Sequence, residues 1–118
     1  MRDLVRATKA LSDETRLRIL NLIMEQECCV CEVMQALEIS QTRASRNLKV
    51  LYDAGFLKLR NEGLWSLYSL GTDEMDISFR HLLEAVKKTL QDNPLASQDK
   101  ERLQKAERVG PNCAAKRS

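Results

Sequence analysis

A chain of 118 residues is long enough for one compact domain and too short for two, and 43% apolar with 31% charged residues is the balance of a water-soluble globular protein. The net charge of +2 is too small to name a partner by itself. No apolar run approaches the ~20 residues that span a bilayer, and Met1-Arg2-Asp3-Leu4-Val5-Arg6 has charges where a signal peptide needs an apolar core, so the expected setting is cytoplasmic, without membrane contact.

Leu4, Val5, Ala7 and Leu11 predict a short amphipathic helix at the start of the chain. Ser12-Asp13 offers oxygens to cap a second helix, residues 14 to about 26, whose Leu17, Ile19, Leu20, Leu22, Ile23 and Met24 form a stripe too wide for a surface helix. This is the expected core helix. Glu27-Cys28-Cys29-Val30-Cys31 interrupts the pattern. Val30, Val33, Met34 and Leu37 then fall at i, i+3, i+4 and i+7, which places the thiols at or near the start of another short helix. After the tight turn Glu38-Ile39-Ser40, Ser40 caps a helix over residues 41 to about 54, and Gly55 stops it. Two short helices joined by such a turn describe a helix-turn-helix.

Residues 56–60 alternate Leu57 and Leu59 with Lys58 and Arg60, Asn61-Glu62-Gly63 supplies turn residues, and 64–70 continues with Trp65, Leu67, Tyr68 and Leu70, a β-hairpin that forms a wing with Lys58 and Arg60 near its tip. Residues 76–90 predict a helix with Ile77, Leu82, Leu83, Val86 and Leu90 on one side. A small domain has little interior left for that stripe, so this helix and the first one are expected to form a dimer seam. Asp92-Asn93-Pro94 ends it, and the polar remainder reads as a tail in which 98–109 is at most transiently helical. The expected fold is mainly α, an α+β winged helix: residues 1–92 form a winged helix-turn-helix DNA-binding and dimerisation domain, and residues 93–118 a flexible polar C-terminal tail.

At ~100° per residue, Ala44, Leu48 and Leu51 share one side of the second reading-unit helix, opposite an arc of Thr42, Ser45, Arg46 and Lys49. Hydroxyls interleaved with long basic side chains suit phosphates and base edges in a major groove. Gln41 at the helix start and the wing residues Lys58 and Arg60 complete the expected DNA contacts, the wing reaching phosphate. The cysteines carry a second chemistry. Three of the four fall within residues 28–31, closer than disulfide staples require, and thiolates select soft, thiophilic ions.

These residues add up to a resemblance. The stretches Ala10-Leu11-Ser12-Asp13-Glu14-Thr15-Arg16-Leu17-Arg18-Ile19-Leu20, Cys29-Val30-Cys31, Ile39-Ser40-Gln41-Thr42-Arg43-Ala44-Ser45-Arg46-Asn47-Leu48-Lys49-Val50-Leu51, Ala54-Gly55-Phe56-Leu57 and Arg60-Asn61-Glu62-Gly63-Leu64-Trp65 resemble, in that order from about residue 4 to 90, the ArsR/SmtB family of metal-responsive repressors. The resemblance implies a homodimeric winged-helix repressor, not an enzyme, that needs no cofactor to bind double-stranded operator DNA and leaves it when an inducer binds. Paired reading helices ~34 Å apart imply an imperfect inverted repeat. The Cys-Val-Cys element looks like that of the arsenic and antimony sensors, so the implied inducer is trivalent arsenic or antimony.

The expected metal ligands are Cys28, Cys29 and Cys31. Cys29 and Cys31 would point ~200° apart on a regular helix, so they can face one ion only if the helix start is unwound. The arsenic-sensor pattern has a further cysteine where this chain has Met34, which lies on the apolar stripe and is assigned to the core. Cys28 is preferred as third thiolate over Cys113 or a non-protein thiol because closing a short loop costs less. His81 with Glu84 does not complete a zinc site. The competing readings are a thiol redox or persulfide switch or a cadmium- or lead-responsive repressor of the same fold. A small thiol oxidoreductase is opposed by the lack of any βαβ pattern around Cys28 and Cys31.

Overall fold

Residues 1–73 and 75–109 are described by the computed structural model. Helix α1 (Arg2–Leu11) ends at Ser12, and Asp13 opens α2 (Glu14–Glu25) by accepting the Arg16 amide at 3.0 Å. Ile19, Leu20 and Leu22 of α2 are fully buried and make it the central core helix. Helix α3 (Val30–Leu37) closes on Glu38 at φ 57, whose left-handed backbone turns the chain so that the Ile39 amide reaches the Met34 carbonyl at 3.2 Å. Ser40 then accepts the Arg43 amide at 3.1 Å and starts α4 (Gln41–Asp53), completing the helix-turn-helix. Gly55, at φ +97, redirects the chain after α4.

Among the strands, Cys28–Cys29 is β1, Leu57–Glu62 is β2 and Trp65–Leu70 is β3; they form one three-stranded antiparallel sheet in the order β1-β3-β2. The sequence predicts only the hairpin. The extra strand exists because the edge of β3 has unpaired backbone groups that Cys28 and Cys29 satisfy, opposite Tyr68 and Leu67. The thiol segment is therefore sheet edge first and helix start second. The hairpin also runs further than expected. Glu62 still pairs with Trp65 and the turn falls at Gly63, φ +60, so Lys58 stands near the base opposite Ser69 and Arg60 midway opposite Leu67, neither near the tip.

Helix α5 (Ile77–Leu90), capped by Asp76, buries Leu83 alone and leaves Ile77 66% exposed; Leu4 and Val5 of α1 are exposed as well. The expectation of a flexible tail from residue 93 is corrected over its first part. Asn93 caps and Pro94 begins a helix, α6 (Pro94–Lys105), packed on α3 and α2. Its inward residues Ala96, Asp99 and Leu103 follow helical spacing, but one of them is an acid, so the stretch reads as polar. Asp99 is completely buried and accepts from Arg18 through both Nε and Nη2 and from Arg102, each at 2.8 Å. Arg102 also donates to the Ala36 carbonyl at 2.6 Å. Buried charge is tolerable when paired and hydrogen-bonded.

Asp99→Ala is expected to lower the unfolding free energy by about 2–3 kcal/mol in urea titration. That is less than the full cost of breaking a buried pair, since both arginines retain some access to water.

Candidate functional site

Gln41, Thr42, Ser45, Arg46 and Lys49 are all exposed along α4, while Ala44, Leu48 and Leu51 are fully buried beneath them. A polar network seats this helix on α2. Arg16 donates to Asn47 Oδ1 at 3.0 Å and to the Ala10 carbonyl at 2.6 Å, Asn47 donates to the Arg43 carbonyl at 2.9 Å, and Arg43 donates to Thr15 Oγ1 at 2.9 Å. Thr15 and Asn47 are buried, so these bonds fix the angle at which α4 presents its outer face. Arg43 thus works towards α2. Sequence reasoning passes over Arg16 and Asn47 because their partners lie on other helices.

The basic residues on the outer face differ in availability. Among the described residues no carboxylate pairs with Arg46, whereas Lys49 pairs with Asp53 at 3.0 Å and Lys58 with Asp73 at 3.1 Å. Arg60 makes a two-pronged contact with Glu27, 2.8 Å from Nε and 2.7 Å from Nη2, and also reaches Glu62 at 2.9 Å. The Arg60 guanidinium holds the Glu27 carboxyl below its usual range. The wing is thus tied to the residue that precedes the thiol segment.

Cys28, Cys29 and Cys31 are all buried, at 0%, 2% and 2% exposure. Proximity in sequence does not make Cys28 and Cys29 converge. Cys28 and Cys29 are successive residues of a strand and point to opposite faces, and among the described residues no group of three or more cysteine, histidine or carboxylate side chains is placed to hold a metal ion. Cys28 Sγ donates to the Gln26 carbonyl at 3.3 Å. Burial, followed by the negative potential of Glu32, pushes its thiol up to about 12, and burial likewise raises Cys29. Cys113 lies outside the described residues. Met34 is buried in the core, as expected, and His81 stands exposed on α5.

The thiol segment is fastened by side chains that the sequence does not single out. Oε1 of Glu32, itself buried, accepts the Cys29 amide at 2.9 Å, closing the start of α3, and accepts Arg108 Nε at 3.0 Å. Arg108 Nη2 also donates to the Glu27 carbonyl at 3.4 Å. Beside it Gln35 donates to the Glu107 carbonyl at 2.8 Å and accepts the Glu107 amide at 3.1 Å, and Trp65 Nε1 donates to the Val109 carbonyl. The backbone after α6 therefore crosses α3 and meets β3.

Comparison with known proteins bears on this arrangement. A family model described as bacterial regulatory protein, arsR family, matches residues 13–59. An arsenic resistance transcriptional regulator of Pseudomonas putida is 49% identical over 63 residues, 52% of this chain and 49% of that protein. An uncharacterized HTH-type transcriptional regulator of Methanocaldococcus jannaschii is 40% identical over 68 residues, 57% of this chain and 76% of that protein. The chain thus spans about half the length of the first of these relatives. In solved structures, a winged helix-turn-helix DNA-binding domain from Mycobacterium bovis, described as homodimeric and a possible ArsR-family regulator, superposes with a TM-score of 0.65 at 27% identity, covering 79% of this chain and 82% of that one. No helix among the described residues is long and apolar enough to cross a membrane.

The raised Cys28 thiol has a pH signature. Its protonated form is favoured in the fold, so its contribution to stability is complete below the ordinary thiol range near 9 and is lost as pH rises from there towards about 12. Urea titrations between pH 8 and 11 are expected to show stability falling, with a slope of at most about 1.4 kcal/mol per pH unit from this group, and a shallower fall in Cys28→Ala.

Proposed function

Because the chain belongs to the arsR family of bacterial regulatory proteins, whose winged helix-turn-helix fold it shares, we propose that it is a homodimeric transcriptional repressor that binds operator DNA without a cofactor and is released when trivalent arsenic or antimony binds its cysteine segment. The observation that carries this reading is continuity. β1 runs directly into α3, and α3 reaches α4 through residues 38–40, so any backbone change that gathers the sulfurs acts on the helix against which the reading helix packs. Cys28 and Cys29 face opposite ways along β1, and a soft trivalent ion needs its sulfurs together. Inducer and operator then oppose one another by linkage.

In this reading Gln41, Thr42, Ser45, Arg46 and Lys49 enter the major groove, and Lys58 and Arg60 hold phosphate by exchanging their carboxylate partners for it. The apolar residues that α1 and α5 leave exposed supply the seam between two copies, which sets the reading helices over successive grooves of an imperfect inverted repeat. Cys29 and Cys31 are the indispensable ligands and Cys28 the third. The similarity to arsenic resistance regulators supports the choice of inducer.

The test is operator binding followed by fluorescence anisotropy under anaerobic, reducing conditions. Arg46→Ala is expected to weaken specific binding by about 1–3 kcal/mol, and normal binding by that variant would sink the helix assignment. Arsenite is expected to release the parent from DNA. Cys29→Ser and Cys31→Ser should bind normally and fail to release, since neither residue lies on the outer face of α4. A Cys28→Ser protein that still responds while Cys113→Ser does not would transfer the third ligand to Cys113.

A further inference from the structure

Residues 106–109 have no part in the reading above, yet they close over the thiol segment. Arg108 joins the two ends of that segment, donating to the Glu32 carboxylate on one side and to the Glu27 carbonyl on the other. The oxygen it holds on Glu32 is the one that accepts the Cys29 amide, so the contact that fastens the C-terminal segment and the contact that closes the start of α3 share a single atom. The Trp65 and Gln35 contacts with the backbone of 107–109 add hydrogen bonds from β3 and α3. Beneath this cover Cys28 and Cys29 have 0% and 2% exposure, with Cys28 on the face of its strand opposite to Cys29.

We propose that Arg108 is a positioning residue for the inducer response: the segment 106–109 is a latch that keeps the thiol segment shut, and its opening sets the inducer concentration at which the protein responds. This rests on the inducer reading for its biological meaning, and on the hydrogen bonds alone for its physical content. To bring the sulfurs to one ion the start of α3 must unwind, which separates the Cys29 amide from Glu32. With Arg108 in place that motion must also break the span from Glu32 to the Glu27 carbonyl. Without it the carboxylate is free to follow the helix end into water, and the segment opens more often.

The experiment measures alkylation of Cys28 and Cys29 by iodoacetamide in the reduced, full-length protein, each site resolved by mass spectrometry, in the parent, Arg108→Gln, Arg108→Lys and Trp65→Phe. When opening is fast relative to alkylation, the rate reports the open population. Arg108→Gln is expected to accelerate both sites about tenfold, corresponding to about 1.4 kcal/mol, with the midpoint of urea unfolding little changed. Arg108→Lys keeps the charge opposite Glu32 but cannot span to the Glu27 carbonyl, and should recover part of the protection. Trp65→Phe, which retains most of the ring packing, should accelerate alkylation severalfold. Unchanged alkylation in Arg108→Gln overturns the latch, as does acceleration matched by an equal loss of global stability. Arsenite titration of the operator complex separates the two readings: a lower midpoint in Arg108→Gln supports both. Faster alkylation with no arsenite release from parent or variant upholds the latch as a physical device and overturns the inducer reading.

Discussion

One carboxylate oxygen governs the middle of this molecule. Glu32 Oε1 is buried, accepts the amide that begins α3, and is held by an arginine from the far end of the chain. A buried carboxylate is costly unless its lone pairs are filled by donors, and here one donor comes from the start of α3 and another from the segment after α6. The Cys29 amide fixes where strand gives way to helix, and Arg108 fixes the segment that covers that junction. Removing the Glu32 carboxylate would therefore release the Cys29 amide and Arg108 together.

The reading helix is positioned by different chemistry. The bonds among Arg16, Asn47, Arg43 and Thr15 cross from α2 to α4 around buried amide and hydroxyl groups, which demand specific directions where apolar contacts alone would tolerate sliding. Arg16 also gathers carbonyls at the end of α1, so the helix with exposed Leu4 and Val5 is registered against the helix that faces outward. The face proposed to pair copies and the face proposed to read DNA are thereby held at a fixed relation through one side chain.

Much of this fold was legible because local signals agreed with one another. Asp13 and Ser40 are capping residues next to apolar runs, Gly55 and Gly63 lie where the backbone takes positive φ, and the two arcs of α4 separate as helical spacing requires. What escaped is of a different kind. A strand of two residues has no period to display and exists only because β3 offers an edge. Helix α6 places an acid at an inward position, and an apolar pattern cannot reveal a site whose apolar role is taken by an ion cluster of Asp99, Arg18 and Arg102. The spacing of cysteines gives their nearness along the chain but not their direction, and the strand sends Cys28 and Cys29 to opposite faces. Arg108 lies 76 residues from its partner, beyond anything spacing can report.

Magnitudes decide how the basic surface divides its work. The pairs Lys58 with Asp73 and Arg60 with Glu62 are exposed to water, where such pairs add little to stability. A phosphate competes with partners held that weakly, and gains from counterion release that a single carboxylate does not provide. The wing is then suited to sequence-independent attraction that weakens with salt. Arg46, which has no carboxylate to leave among the described residues, would lose nothing of that kind at the base edge proposed for it, where its rigid fork would match paired acceptors. Arg60 is the exception within the wing, because its two-pronged contact with Glu27 joins β2 to the residue before Cys28. A shift of the thiol segment therefore changes the surroundings of a wing arginine directly through Glu27, and those of the reading helix through the α3 packing beneath it. Both routes begin at the same short stretch of backbone.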